Sequence, residues 1–172
     1  MKNLFGIKNK VIVITGGCGI LGKDIANYLA EQGAKIVVLD RAAKIGKELE
    51  AELNQKSEAL FLVTDVLNKK VLEENKKAIL ERFGTIDVLL NAAGGNIPGA
   101  TIASNKTILD LDVEAFRKVV DLNLFGTVLP TMVFVDVMAK NKKGAIVNFC
   151  SESALRPLTR VVGYGSAKAA IG

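Results

Sequence analysis

The sequence predicts an α/β domain built on a doubly wound parallel sheet with helices on both faces. Three observations predict it. Short, largely β-branched apolar runs alternate along the chain with longer amphipathic stretches, a glycine-rich turn closes the first run, and the second run ends in an acid. With 172 residues and 49% hydrophobic content, the chain has enough material for a substantial core. Residues 1–172 therefore read as one domain.

The first run, Val11 to Ile14, is continuous and β-branched, which suits a strand buried on both faces of a parallel sheet. Gly16, Gly17, Gly19 and Gly22 follow at once. Glycines there let the backbone turn tightly and approach a ligand, while the free N–H groups and dipole of the next helix favour a phosphate. Alone, Gly17-x-Gly19-x-x-Gly22 describes many ordinary strand-to-helix turns. Its setting adds to it. A helical pattern follows with Ile25, Tyr28 and Leu29 on one face, and Gly33 leads to a second strand, Ile36 to Leu39, ending at Asp40. An acid about 20 residues past the glycines is where a dinucleotide site places its acceptor for the adenosine ribose hydroxyls. Asp40 would repel a 2′-phosphate, favouring NAD over NADP, although the adjacent Arg41 could attract one.

Further along, residues 42–53 read as a helix, 59–64 as a strand, 67–82 as a helix and 86–90 as a strand. Strands alternating with helices imply parallel pairing through right-handed crossovers, with ligands at the strands' carboxyl ends. Three loops fall there in series: Thr15 to Gly19, Asp65-Val66, and Asn91-Ala92-Ala93-Gly94. Together they trace a line along which an extended dinucleotide can run. Residues 95–111 form a long polar connection containing Asn96, Pro98, Gly99 and Lys106, and such loops are usually functional or mobile. Asp112 can cap a helix that continues through Asn123 toward Lys140. Its surface is apolar nearly all round, which predicts burial against the sheet and in a subunit interface. Residues 144–149 form a fifth strand, followed by Ser151, an Arg156-Pro157 turn, and Tyr164-Gly-Ser-Ala-Lys168 opening another helix.

Composition narrows the partners. The net charge of +5 comes from lysines spread over helical patterns, such as Lys69-Lys70 and Lys76-Lys77, with Glu73, Glu74 and Glu81 among them. With only 5% aromatic residues there is no stacking platform, so nucleic acid is not indicated. The chain lacks histidine, and Cys18 and Cys150 have no metal-ligand spacing, so neither a zinc site nor a disulfide framework is expected. The first ten residues are too polar for a signal peptide. Residues 119–139 are interrupted by Asp121, Asn123, Gly126, Pro130 and Asp136, which a membrane span tolerates poorly. A cytoplasmic protein is expected.

The chemistry sits near the C-terminus. Tyr164 and Lys168 are four apart and share a helix face, and Ser151 lies at the end of the preceding strand. A tyrosine titrates near pH 10, but a neighbouring ammonium favours the phenolate, so the pair can act as a base nearer neutrality. Alone, a Tyr-x-x-x-Lys spacing is common on amphipathic helices. Here it follows a dinucleotide-binding half.

Taken together, Thr15-Gly-Gly-Cys-Gly-Ile-Leu-Gly22, Asp65-Val66, Asn91-Ala-Ala-Gly94, Asn123, Ser151 and Tyr164-x-x-x-Lys168 resemble the short-chain dehydrogenase/reductase family in order and spacing. The resemblance spans essentially the whole chain. It implies a Rossmann-like fold and an oxidoreductase acting on CH–OH groups, with hydride passing between substrate and nicotinamide. It implies further that Tyr164 is the acid/base, that Ser151 orients the substrate oxygen, and that Lys168 lowers the tyrosine pKa and holds the nicotinamide ribose. It also implies that Asn123 supports a proton-relay water. The cofactor-binding set implied is Thr15, Gly16, Gly17, Cys18, Gly19, Ile20, Leu21, Asp40, Arg41, Asp65, Val66, Asn91, Ala92, Ala93, Gly94, Tyr164 and Lys168, with NAD as cofactor and no metal. The chain departs from the common glycine pattern at Ile20, with Gly19 preceding it instead.

Within the family, the Thr-Gly-Gly-x-Gly start, Asn91 to Asn96, Asp121 to Thr131 and Arg156 to Thr159 resemble the D-mannonate oxidoreductase (fructuronate reductase) branch. That implies oxidation of a secondary alcohol on a sugar acid, with Asn96, Ser153 and Arg156 as substrate-side candidates. A guanidinium fork such as that of Arg156 matches a carboxylate. Other readings are a reductase of 3-oxoacyl thioesters or gluconate-type polyols, and a non-catalytic NAD-binding fragment. Family members continue beyond the position of Gly172 through further strands and a substrate-covering segment. The resemblance therefore implies a missing C-terminal part, poor activity of this polypeptide alone, and a homodimer or homotetramer at full length.

Overall fold

Five strands, β1 (Val11–Thr15), β2 (Lys35–Asp40), β3 (Ala59–Val63), β4 (Val88–Asn91) and β5 (Ala145–Asn148), form one parallel sheet in the order β3-β2-β1-β4-β5. The computed structural model describes residues 6–156 and 158–172. Met1 to Phe5, and the Pro157 half of the expected turn, lie outside the described residues. The register sets Thr15 opposite both Leu39 and Asn91, and Asp40 opposite Val63. The carboxyl ends of four strands are thus level, and the polar loops after them share one edge of the sheet.

Strand β1 is central and buried along its whole length. Its alternate side chains serve two cores. Val11 and Val13 join Leu72, Ile79, Val133 and Phe134 on one face, under α3 (Lys69–Phe83) and α5 (Gly126–Lys140). Ile12 and Ile14 join Ala26, Ala30, Leu49 and Phe61 on the other, under α1 (Ile20–Glu31) and α2 (Ala43–Leu53). This double burial is why the strand reads as an unbroken apolar run.

Two expectations are corrected by the packing. Helix α1 buries Gly22, Ala26 and Ala30, while Ile25 and Leu29 flank the contact and Tyr28 is 63% exposed. Small residues win that face because the helix lies so close to the turn that a Cβ on Gly22 would collide with the Gly16 carbonyl. The helix expected from Asp112 onward is also divided. Asp112 caps α4 (Val113–Val120), accepting hydrogen bonds from the N–H groups of Glu114 and Ala115 at 3.0 Å. A π-turn at Asp121–Phe125 then separates α4 from α5. There the Gly126 N–H bonds the Asp121 carbonyl five residues back, and within the turn the Asn123 side-chain amide donates to the Val119 carbonyl at 2.8 Å.

The segment Val113–Lys140 is long and apolar enough to cross a membrane by length and composition. In the fold it is instead a core element, with Val119, Val133, Phe134, Val137 and Met138 buried. Its outer side carries Phe125, Val128, Met132 and Val135, all exposed.

Helix α2 packs closely on the sheet at Gly46, where a Cβ would fall within the ring of Phe61, itself 2% exposed. Overpacking of about 1–3 kcal/mol outweighs the helix-propensity gain of about 1 kcal/mol from alanine. Gly46→Ala is therefore expected to lower the urea midpoint by an amount equivalent to about 1–2 kcal/mol.

Candidate active site

A cleft of about 380 Å³ opens at the carboxyl ends of β1 to β4, lined on one side by Gly16, Gly19, Ile20 and Leu21 and on the other by Ala92, Ala93 and Gly94. It sits between β1 and β4, where successive crossovers diverge and α/β sheets bind ligands. Gly16 makes the turn with φ +67°, and Gly19 at the α1 N-cap offers no side-chain cap to the first helical turn. The N–H groups of that turn, with no acid among its residues, are left for an anion. Ile20 and Leu21 are 86% and 65% exposed beside them, apolar surface that a ligand in the cleft would cover.

Asp40 and Arg41 line the middle of the cleft. The Asp40 carboxylate accepts the Cys18 N–H through Oδ2 and the Ala42 N–H through Oδ1, both at 3.0 Å. Each oxygen keeps a further lone pair, so the group is fixed in place and still able to accept from a diol. Asp65 and Val66 close the far end with Thr64, and the Asp65 Oδ1 takes the Leu67 N–H in a local turn. The residues present thus fit a dinucleotide: free N–H groups for a pyrophosphate, a held carboxylate for ribose hydroxyls, and a run of backbone with little side chain between them.

At the Gly94 end the cleft meets α6 (Val162–Ala169), which carries Tyr164 and Lys168. Lys168 is only 5% exposed; its ammonium donates to the Phe149 carbonyl at 2.6 Å and lies 5.9 Å from the centroid of the Tyr164 ring. Burial pulls its pKa below the usual lysine value, with the Cys150 thiol opposing that shift. A Cβ on Gly94 would stand 2.7 Å from Asn123 Oδ1 and 3.5 Å from Lys168 Nζ, so these groups converge on one spot. Asn123 is fully buried; its amide accepts from Gly95 N–H at 3.0 Å and donates to the Gly95 and Val119 carbonyls at 2.8 Å. The Ser151 hydroxyl accepts from the Ser153 N–H at 3.2 Å and the Ser153 hydroxyl at 2.9 Å, which leaves its own proton free to donate.

Other residues singled out from the sequence lie behind the cleft. Thr15 is fully buried and accepts the Ala93 N–H at 3.1 Å, fastening the β4 turn to the β1 turn. Asn91, 1% exposed, bonds Thr131 and Asn148 at 2.9 Å and links β4 to α5 and β5. Gly17 packs on Val38. On the substrate side, Ser153 is buried under α6, Asn96 bonds Thr101 at 2.6 Å, and the exposed Arg156 leans toward Glu152 at 3.8 Å. Sequence reasoning passed over Leu39, Thr64 and Leu122, which also line the cleft. The first two are strand-end residues whose place next to Asp40 and Asp65 was the available signal; Leu122 lies in the π-turn, inside the stretch read as one helix, and carried no such signal.

The two thiols differ in reactivity. Burial, reinforced by the Asp40 carboxylate, pushes the Cys18 thiol up to about 11, while Cys150 is exposed. Thiolate is the nucleophile, so Cys18 is protonated and inert at neutral pH. Iodoacetamide at pH 8 is expected to add one label, on Cys150, with Cys18 labelled only as the pH nears its raised pKa. Peptide mass mapping across pH reads the order.

Comparison with known proteins places this geometry. The family model for short chain dehydrogenases matches residues 10–172. An uncharacterized oxidoreductase of Bacillus subtilis, UxuB, is 36% identical over 179 residues, covering 99% of this chain and 63% of that protein. The crystal structure of a provisionally named D-mannonate oxidoreductase of Haemophilus influenzae, with bound NAD, superposes with a TM-score of 0.91 at 36% identity, over 96% of this chain and 63% of that one. NAD-bound xylitol dehydrogenase superposes with a TM-score of 0.89 at 29% identity, over 96% and 62%. The chain therefore spans a little under two thirds of the length of the relatives it matches, and the cleft, the convergent lysine and the matched residues agree on one conclusion: it belongs to the short-chain dehydrogenase family.

Proposed function

We propose that this chain carries the cofactor site and catalytic groups of a cytoplasmic, NAD-dependent oxidoreductase that interconverts a secondary alcohol and a ketone on a sugar acid of the D-mannonate/D-fructuronate type. The observation that carries the reading is the convergence of Lys168, Asn123 and Gly94 at the end of the cleft, with Tyr164 one helical turn from Lys168. A cofactor-binding module without chemistry has no use for a desolvated ammonium beside a phenol. NAD is favoured over NADP because the held Asp40 carboxylate suits ribose hydroxyls and repels a 2′-phosphate. The sugar-acid assignment draws on the Haemophilus relative named for D-mannonate. The exposed apolar stripe Phe125, Val128, Met132 and Val135 is proposed as an interface between copies in a homodimer or homotetramer.

In this reading bound NAD supplies the hydride acceptor, and the protein supplies position and proton transfer. The first turn of α1 would hold the pyrophosphate, and Asp40 the adenosine ribose hydroxyls. Lys168 has spent one of its donors on Phe149, so the others can reach the second ribose. Ser151, oriented by Ser153, donates its hydroxyl proton to the substrate oxygen. The Tyr164 hydroxyl exchanges the proton of that oxygen, and the neighbouring ammonium favours the negative charge that develops as the proton moves. Asn123, locked to Gly95, keeps the loop after β4 in register and supports the relay water.

The deciding assay follows NADH consumption with D-fructuronate, run beside NADPH, tagaturonate and an acetoacetyl thioester. Turnover, weak for this polypeptide alone, is expected with NADH and D-fructuronate; a preference for the thioester or for NADPH would overturn the assignment. Tyr164→Phe is expected to cut turnover by about 10²- to 10⁴-fold while NADH binding, read by fluorescence titration, is retained. Asp40→Ala is expected to weaken NADH binding about 10-fold or more and to narrow the preference for NADH over NADPH.

A further inference from the structure

Among the described residues, Asn9, Lys142 and Arg160 are the non-glycine residues with positive φ. Two have local reasons. Asparagine tolerates the left-handed region, and Lys142 closes the C-terminus of α5, donating its N–H to the Ala139 carbonyl at 3.1 Å. Arg160, at φ +68°, ends no helix and is an unfavourable residue type there. Its conformation is held from elsewhere: the Arg160 carbonyl accepts the N–H of the buried Ile102 at 2.9 Å. That bond ties the stretch before α6 to the loop after β4, and Tyr164, four residues later, packs against the cluster of Ala100 from the same loop with Ala115 and Val119 of α4. Arg160 thus stands where the two segments bordering the catalytic cluster meet.

Its charge is also unspent. Arg160 is exposed and pairs with no carboxylate among the described residues; Arg117 pairs with Glu114 at 2.6 Å and Arg156 leans on Glu152, while Arg41 and Arg82, also without a carboxylate, respectively line the cleft and lie over the Phe83 ring. A strained backbone retained under a cation without a partner, beside a catalytic site, points to a ligand rather than to stability. A planar guanidinium matches an anionic carboxylate through two parallel hydrogen bonds. We infer that Arg160, rather than Arg156, binds the carboxylate of the substrate, its tether to Ile102 fixing the point from which the guanidinium reaches. This rests on the sugar-acid reading above, and it makes Arg160 the residue that separates sugar acids from neutral polyols.

The test measures D-mannonate binding by calorimetry in the presence of NADH, a pairing of alcohol and reduced cofactor that cannot react, with D-mannitol as the neutral counterpart. Arg160→Gly suits the left-handed backbone, so its thermal midpoint and NADH affinity are expected to match or exceed the parent's. Its affinity for D-mannonate is expected to fall about 10- to 100-fold with D-mannitol unaffected, and Arg160→Lys is expected to recover part of the loss. If the parent prefers D-mannonate and Arg160→Gly keeps that preference, or if Arg156→Gly abolishes it instead, the inference fails while the sugar-acid reading stands. A parent that binds NADH but does not prefer the acid over the polyol overturns that reading and this inference with it.

Discussion

The carboxyl ends of β1 and β4 touch backbone to backbone, and the cleft exists because no side chain separates them. A Cβ on Gly16 would lie 2.7 Å from the Ala93 Cα, and the Gly16 N–H donates to the Leu39 carbonyl at 2.8 Å, so this residue joins three strand ends. Thr15 completes the junction through its bond to the Ala93 N–H. Gly22 then lets α1 start against the same turn. Side chains at these positions would push apart the loops that line the cleft, and the free N–H groups of α1 would no longer face Gly94 across it. The narrow gap is a consequence of packing density, with no room for a methyl group.

Two polar residues at the end of the cleft carry the next level of order. Asn123 and Lys168 are buried, where an unbonded amide or ammonium is costly. Asn123 is satisfied on both sides of its amide by Gly95 and by the Val119 carbonyl, from within the π-turn between α4 and α5. Lys168 is satisfied less completely, with one bond to Phe149 and burial holding its pKa down. That partial satisfaction keeps donors in reserve for whatever enters beside Gly94.

The outline of the fold and most of the site were legible in the chain. The five apolar runs match β1 to β5 to within one or two residues at their ends, because strands buried on both faces must be apolar throughout. Asp40 was recognisable because it ends the second strand about 20 residues past the glycine turn, where a dinucleotide site places its ribose acceptor. Tyr164 and Lys168 were legible as a pair because helical spacing alone brings them onto one face. The face of α1 was misread, since large apolar residues usually mark the buried side and here Gly22, Ala26 and Ala30 fill it. Local periodicity carries no term for how closely a helix must approach a sheet.

What the sequence by itself determined is therefore the order of the elements, the parallel sheet and the identity of the groups at its carboxyl edge, all of which follow from periodicity and residue type over short windows. Only the tertiary structure decided which of those groups face the cleft. Thr15 and Asn91 lie next to cleft residues in the chain yet turn inward to bond Ala93, Thr131 and Asn148, while Leu122 and Arg160 are placed by partners more than 25 residues away or by a break in a helix. The reason is physical: a buried polar atom takes its orientation from whichever partner satisfies it, and that partner comes from another part of the chain.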